Sequence, residues 1–199
     1  AICEAIGEEM TLTYDDFLSR FAGSDERYAM GQMAKELGIP YDENLFQEWS
    51  KRKAEAYAQF VSESATPMPG AVDFVLSVSR ELPVGLATSS RRSDVDTALQ
   101  VMAGGRLEGV FQTIVTTEDV AMPKPDPATY AKAVENLGAK PSGCLALEDS
   151  PNGVRSAKRA GLRVVGVSAM HGSEKLSEAD VVVPDLRGAS LGRLYSWLD

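Results

Sequence analysis

Short apolar runs alternate with helical segments from residue 71 to the end of the chain, and this alternation strongly constrains the fold. The runs lack the polar alternation of half-exposed strands, so they suit strands buried on both faces. Strands that alternate with helices of this length predict an α/β fold with a doubly wound, largely parallel sheet and right-handed crossovers. The predicted strands are Val84–Thr88, Phe111–Val115, Cys144–Leu147, Val164–Val167 and Val181–Val183, and the predicted helices are Ala71–Glu81, Asp94–Met102, Pro127–Leu137, Val154–Ala160 and a last one from Leu191.

The first third of the chain has a different pattern. Tyr14, Phe17, Leu18 and Phe21 recur at helical spacing, and helical periodicity continues to about Thr66. Two prolines and a glycine then occur in the stretch Thr66–Gly70, which favours an extended connection. We therefore expect a small helical domain over residues 1–66 and an α/β core over residues 67–199.

Composition excludes several classes of protein. The 199 residues carry a formal net charge of −9, which disfavours a nucleic-acid surface built from clustered lysine and arginine. No apolar run approaches the roughly 20 residues of a membrane span. The two cysteines, Cys3 and Cys144, stand in unlike contexts, so we expect no disulfide, a cytoplasmic location and, by default, a monomer. The single histidine, His171, makes a Ser-His-Asp triad improbable.

The stretch Cys144–Gly153 joins an apolar strand to a helix through two adjacent acids, Glu148 and Asp149. Open α/β sheets bind ligands at the carboxyl ends of their strands. Two carboxylates there suit a hard cation such as Mg²⁺. The alternative is structural, because Asp149 or Ser150 would also serve as the N-cap of the next helix.

Two other strand ends carry polar residues. Thr88, Ser89 and Ser90 follow the first predicted strand, with Arg91 and Arg92 directly after them, and hydroxyls and amides at a helix entrance can hold a phosphate oxygen or simply cap the helix. Farther along, Lys124 stands between two prolines on a stiff loop, which is an unusual position for a solvated surface charge.

Taken in order, the Thr-Ser-Ser, Lys-Pro-Asp-Pro and Glu-Asp-Ser motifs closely resemble the haloacid-dehalogenase-like hydrolase superfamily. The match is to the branch with a small helical cap that includes phosphoglycolate phosphatases, sugar-phosphate phosphatases and β-phosphoglucomutase. The resemblance implies a Rossmann-like core with an inserted α-helical cap domain and a small phosphorylated metabolite as substrate.

The resemblance also implies roles for individual residues. Thr88 would hydrogen-bond the transferring phosphoryl group, assisted by the Ser89 amide. Lys124 would offset the charge of the phosphate and of the nucleophile. Glu148 and Asp149 would hold Mg²⁺, with Asp149 the surer direct ligand.

In that superfamily the nucleophile is the first aspartate of an Asp-x-Asp-Gly motif on the central strand near the N-terminus. The printed sequence has no such motif. We therefore expect the nucleophile to lie upstream of Ala1, and the chain as printed to be inactive alone.

The resemblance bears on the substrate as well. Arg20 and Gly23 belong to a segment similar to the family's cap loop, where β-phosphoglucomutase has two basic residues at the positions of Ala22 and Glu26. This departure disfavours mutase activity and favours hydrolysis of a small phosphate monoester, with Ser90, Arg91 and Arg92 as further substrate contacts. The basic cluster Lys51–Lys53 could also contribute to the site from the cap, but basic residues on one side of an amphipathic helix are more typical of a solvated face. The alternatives are a phosphosugar mutase, a metal-free dehalogenase, which the paired acids oppose, and a non-catalytic protein that binds a phosphate ligand or a partner.

Overall fold

The structure is a computed structural model that describes residues 16, 20, 21, 24–169 and 172–198. Cys3, Gly23 and His171 lie outside the described residues. The strands are β1 Gly85–Ala87, β2 Thr113–Val115, β3 Leu145–Glu148, β4 Arg163–Val167 and β5 Val181–Val183. The α-helices are α1 Glu26–Leu37, α2 Glu43–Glu63, α3 Ala71–Val78, α4 Arg92–Val101, α5 Ala128–Asn136, α6 Pro151–Arg159 and α7 Leu191–Leu198.

All strand pairs in the described structure are parallel. β1 pairs with β2, and β4 lies between β3 and β5. The strands thus form a two-stranded and a three-stranded sheet, whereas the sequence pattern suggests one continuous sheet. An α-helix lies between β1 and β2, between β2 and β3, and between β3 and β4, as crossovers between parallel strands require, and a short 3₁₀ helix, Ser173–Leu176, lies between β4 and β5. The predicted fold class, a doubly wound parallel α/β core, is confirmed.

The central strand β4 is buried on both faces. Val164 belongs to an apolar cluster with residues of α5 and α6, whereas Val165 and Val167 belong to a second cluster with Phe74 and Leu194 of α3 and α7. Successive strand residues point to opposite faces, so helices cover both sides of this sheet. This is why residues Val164–Val167 are buried and lack polar alternation, whereas Arg163 at the start of the strand is exposed.

Helices α1 and α2 have an apolar cluster of their own. Each is capped at its N-terminus by an aspartate whose side chain accepts a hydrogen bond from a backbone N–H, Asp25 for α1 and Asp42 for α2. Gly38 ends α1 with a φ of 69°, a conformation that glycine adopts without strain. Their shared core contains Phe21, Met30, Met33, Ala34, Phe46 and Trp49. The division of the chain into a helical domain over residues 1–66 and a core over residues 67–199 remains a prediction.

The observed elements overlap those expected from the sequence, and their ends differ by a few residues. The clearest difference is α6, which begins at Pro151 instead of Val154, because Ser150 caps the helix and proline suits its first turn. Across the described segments, no helix has the length and apolar character needed to cross a membrane.

Candidate active site

Lys124 joins the carboxyl ends of two strands that belong to different sheets. Its Nζ lies 3.1 Å from the carbonyl oxygen of Ala87, at the end of β1, and 2.5 Å from Oε1 of Glu148, at the end of β3. The side chains of Lys124 and Glu148 are each only 6% exposed. A buried ammonium is costly unless it is paired and hydrogen-bonded, and this one is both. The arrangement fixes a positive charge at the strand ends.

Glu148 accepts hydrogen bonds at both of its carboxylate oxygens. The Tyr130 hydroxyl donates to Oε1 at 2.6 Å, and the Ser150 hydroxyl donates to Oε2 at 3.2 Å. Burial, reinforced by the negative charge of Glu148, raises the pKa of Tyr130 well above its usual range, so the phenol remains a donor. The carboxylate is therefore held by three side chains at once.

Glycine at position 153 makes room for this carboxylate. A Cβ on Gly153 would lie about 2 Å from all three carboxyl atoms of Glu148. The backbone N–H of Gly153 also donates to the Ser150 hydroxyl at 3.1 Å. The Ser-Pro-Asn-Gly sequence thus caps α6 and leaves space for a buried acid in the same turn.

The structure separates the two alternatives for the acid pair. Ser150 is the N-cap of α6, so Asp149 is not needed for capping. Asp149 is exposed, and it lines the same cleft as Glu148 and Lys124. Asp149 therefore places a carboxylate in the cleft, directly after the carboxyl end of β3.

This cleft has a volume of about 590 Å³, within the usual range for small-molecule sites. It lies between α1 and α2 on one side and the strand ends on the other. Its polar lining comprises Ser24, Asp25, Glu26, Lys53, Thr88, Ser89, Ser90, Arg91, Lys124, Glu148, Asp149 and Ser150. Its apolar lining comprises Phe21, Ala29, Met30, Met33, Met68, Ala71, Ala87, Leu147, Val167 and Leu186.

The loop after β1 is folded by short-range hydrogen bonds. The hydroxyl of Thr88 accepts from the backbone N–H of Ser90 at 3.0 Å. Arg91 pairs with Glu118 at 3.1 Å, and the backbone N–H of Arg92 donates to the same carboxylate at 2.8 Å. These donors lower the pKa of Glu118, the backbone contact most strongly. Glu118 thereby ties the loop after β2 to the loop after β1.

The structure gathers seven of the ten candidate residues in the cleft: Thr88, Ser89, Ser90, Arg91, Lys124, Glu148 and Asp149. It does not bring Arg20 and Arg92 there. Arg20 pairs with Glu36, and the Arg92 guanidinium pairs with Asp96 on the exposed face of α4. Arg91 is the N-cap of α4 and has an extended backbone, whereas Arg92 is the first helical residue, and only Arg91 lines the cleft. Gly23 lies outside the described residues.

Two side chains of the cleft region, Tyr130 and Glu26, were not among the candidates, and a third, Lys53, was considered only as part of a basic cluster. Tyr130 reaches Glu148 from α5, and no local sequence pattern marks that contact. Lys53 came from a cluster interpreted as a solvated helix face, but it is half-buried and forms an ion pair with the buried Asp94. Glu26 also lines the cleft.

The carboxylates at the end of β3 supply part of a metal site. Within the described part of the chain, no three His, Cys, Asp or Glu side chains converge on a common metal position. Asp149 has the right chemistry and opens to the cleft, whereas both oxygens of Glu148 already accept from Lys124, Tyr130 and Ser150. Mg²⁺ commonly binds through one or two carboxylates and keeps several waters, so an acid pair of this kind is compatible with it.

Sequence comparison identifies the class of protein. The family model for haloacid dehalogenase-like hydrolases matches residues 5–167. The chain belongs to this family, as the three strand-end motifs predict.

Two curated relatives are similar over most of their length. Validoxylamine A 7'-phosphate phosphatase from Streptomyces hygroscopicus subsp. limoneus is 32% identical over 80% of this chain and 85% of its own. The phosphorylated carbohydrates phosphatase of Thermotoga maritima is 30% identical over 91% of this chain and 81% of its own.

Among solved structures, CbbY from Rhodobacter sphaeroides in complex with phosphate superposes with a TM-score of 0.86. It is 22% identical, and the match covers 98% of this chain and 88% of the other. At this identity the likeness supports the fold alone.

Proposed function

We propose that this chain forms the cap and most of the core of a Mg²⁺-dependent phosphatase that hydrolyses a small phosphorylated carbohydrate through an aspartyl-phosphate intermediate. The observation that carries the proposal is the buried Lys124, held at two strand ends beside Thr88 and the Glu148-Asp149 pair. The predicted enzyme class, a phosphoric monoester hydrolase, is confirmed by the family match and by relatives named as phosphatases. The substrate class rests on those relatives' names and remains a proposal.

Binding of the phosphate would use the groups at the end of β1. The Thr88 hydroxyl and the amides of the following loop would donate hydrogen bonds to its oxygens, as backbone amides at a helix entrance do for anions. The ammonium of Lys124 would offset charge on the phosphoryl group. Phosphoryl transfer depends mainly on positioning and charge stabilisation, so a cation fixed by buried partners is well suited to it.

Glu148 and Asp149 would then have different tasks. Glu148 holds Lys124 in place through its short ion pair. Asp149, which opens to the cleft, would be the direct Mg²⁺ ligand. When bound, the metal would neutralise charge on the phosphate and help to align it.

The nucleophile would come from a further strand between β1 and β3. Among the described residues, β1 and β3 each pair along one edge only. Apolar side chains of both strands, Ala87 and Leu147, line the cleft. A strand inserted there would satisfy both edges, cover the apolar lining and bring an Asp-x-Asp-Gly motif to the carboxyl ends beside Lys124. Its first aspartate would attack phosphorus, release the alcohol and form the phospho-enzyme that water hydrolyses.

The test compares two proteins, residues 1–199 alone and the same chain preceded by a strand that bears Asp-x-Asp-Gly. Phosphate release is measured from sugar phosphates and phosphoglycolate, with Mg²⁺ and with excess chelator. We expect activity only for the longer protein with Mg²⁺, and its loss when the first aspartate of the motif is replaced by asparagine. An inactive but folded longer protein that binds phosphate would contradict the proposal and favour a non-catalytic binding protein.

A further inference from the structure

The loop that carries Lys124 has few backbone donors of its own. Pro123, Pro125 and Pro127 have no N–H group, so only Lys124 and Asp126 can donate from this stretch. The Asp126 N–H donates to the carbonyl oxygen of Pro123 at 2.9 Å and closes a turn that contains Lys124. The carbonyls of Pro125 and Asp126 need donors from other segments, because a backbone oxygen without a partner in a packed loop is costly.

Two side chains of α6 supply those donors. The Ser156 hydroxyl donates to the carbonyl oxygen of Asp126 at 2.6 Å. Nη1 of Arg159 donates to the carbonyl oxygen of Pro125 at 3.1 Å. Ser156 is completely buried, whereas Arg159 lies at the surface. The two residues are three positions apart and lie on the same face of the helix, so one face of α6 holds both carbonyls.

The same helix also holds the acid pair. α6 follows Glu148 and Asp149, and its N-cap, Ser150, donates a hydrogen bond to the Glu148 carboxylate. Because a helix has a fixed rise per residue, the first and last turns of α6 keep a fixed spacing. α6 therefore sets the position of the Lys124 loop relative to the acid pair.

We propose that Ser156 and Arg159 are positioning residues that hold the Lys124 loop at a fixed position relative to the acid pair for phosphoryl transfer. The inference rests on the proposed phosphatase function. Both residues lie outside the lining of the cleft, so their effect on the reaction passes through the Lys124 loop. Phosphoryl transfer depends on where charges stand relative to the phosphate, and a displacement of about 1 Å can cost about 100-fold in rate.

The test uses the longer protein, preceded by a strand that bears Asp-x-Asp-Gly. Hydrolysis of glucose 6-phosphate with Mg²⁺ is measured at a temperature where circular dichroism shows every variant folded. We expect Ser156→Ala to lower kcat about 10-fold and to leave KM within about twofold, because the Lys124 charge is retained but misplaced in the transition state. Arg159→Met should lower kcat about threefold, since its hydrogen bond is exposed to solvent. Arg159→Lys keeps a donor and should restore most of that loss.

Thr113→Val is the matched control. The Thr113 hydroxyl accepts a hydrogen bond from Nδ2 of Asn136 at 2.9 Å, and Thr113 lies at the start of β2, at the opposite end of the strand from the site. The control should lower the free energy of unfolding and leave kcat unchanged. Equal effects of Ser156→Ala and Thr113→Val on kcat, or a change in KM alone, would overturn the positioning role.

Hydrogen exchange followed by mass spectrometry is a second measurement, which does not depend on activity. A peptide that spans residues 119–128 should exchange about 10-fold faster in Ser156→Ala than in Thr113→Val, because the loop opens more easily without its anchor. Unchanged exchange in the Ser156 variant would overturn the anchoring of the loop by α6. A wild-type protein that hydrolyses no ester would instead overturn the proposed function.

Discussion

Nζ of Lys124 lies 2.5 Å from Oε1 of Glu148, and both side chains are almost completely buried. The pair connects the loop after β2 with the end of β3, and the carbonyl of Ala87 brings the end of β1 to the same ammonium. Each charge is acceptable in the interior only because the other is present. The positive charge proposed for phosphate binding is thus also a structural element of the core.

Replacing Glu148 with glutamine tests this dependence. The variant leaves Lys124 buried without its counter-ion, and removing one partner of a buried pair typically costs about 3–5 kcal/mol. Urea unfolding should show a lower midpoint. The control is Glu178→Gln, which removes an exposed pair with Arg155 and should cost less than about 1 kcal/mol. Equal costs for the two variants would contradict the structural role of Glu148.

Gly153→Ala tests the space beside the same carboxylate. The new Cβ would overlap the Glu148 carboxyl group, so either the acid or the first turn of α6 must shift. We expect a loss of about 1–3 kcal/mol in the free energy of unfolding, typical of overpacking. Gly143→Ala is the control, because a Cβ there meets no atom within 4 Å. A Gly153 variant as stable as this control would contradict the close approach.

Asp149→Asn tests the proposed metal ligand. Asp149 is exposed, so the variant should unfold at nearly the wild-type temperature. In the longer protein proposed above, preceded by a strand that bears Asp-x-Asp-Gly, Mg²⁺ affinity measured by calorimetry should fall at least about 10-fold, as expected when a charged ligand is lost. Unchanged Mg²⁺ binding would show that Asp149 does not hold the metal.

Thr116→Val tests the turn that precedes the Lys124 loop. The Thr116 hydroxyl accepts from the N–H of Glu118, and Asp119 accepts from the backbone and hydroxyl of Thr116, which lowers the pKa of Asp119. Loss of such a cap costs about 1 kcal/mol near neutral pH. Because the folded pKa of Asp119 is lowered, its contribution is present above the unfolded pKa and is lost as pH falls through the folded value. The difference between wild type and variant should therefore shrink in acid. A difference independent of pH would exclude the Asp119 contact as its cause.

Glu26→Gln tests the cost of burying the Glu26 carboxylate, which lines the cleft. Because the folded pKa of Glu26 is raised, its ionised form opposes folding at neutral pH, and this penalty disappears as pH falls through the folded pKa toward the unfolded value. The variant should thus melt at the wild-type temperature or above it at pH 7, with the difference shrinking in acid. Thermal unfolding followed by circular dichroism at several pH values measures this. A clearly lower melting temperature at pH 7 would indicate that the Lys53 and Arg91 contacts outweigh burial.

Local chemistry allowed much of this protein to be predicted from sequence. The order of the elements followed from periodicity and turn chemistry. These signals, such as the apolar runs of the strands and Ser150-Pro151 at the start of α6, depend only on neighbouring residues. The three polar strand ends followed as well, because carboxyl ends of parallel strands meet at one edge of a sheet.

Contacts between distant segments were decided by the tertiary structure. Lys124 and Tyr130 are 24 and 18 positions from Glu148, and nothing local indicates that both donate to one carboxylate. The tertiary structure likewise placed Arg91, the N-cap of α4, in the cleft and paired Arg92 with Asp96 outside it. The sequence by itself determined which elements form and where their polar ends lie, because those properties depend on short-range periodicity. Only the tertiary structure decided which charges are buried and which are paired, because burial depends on how separate segments pack.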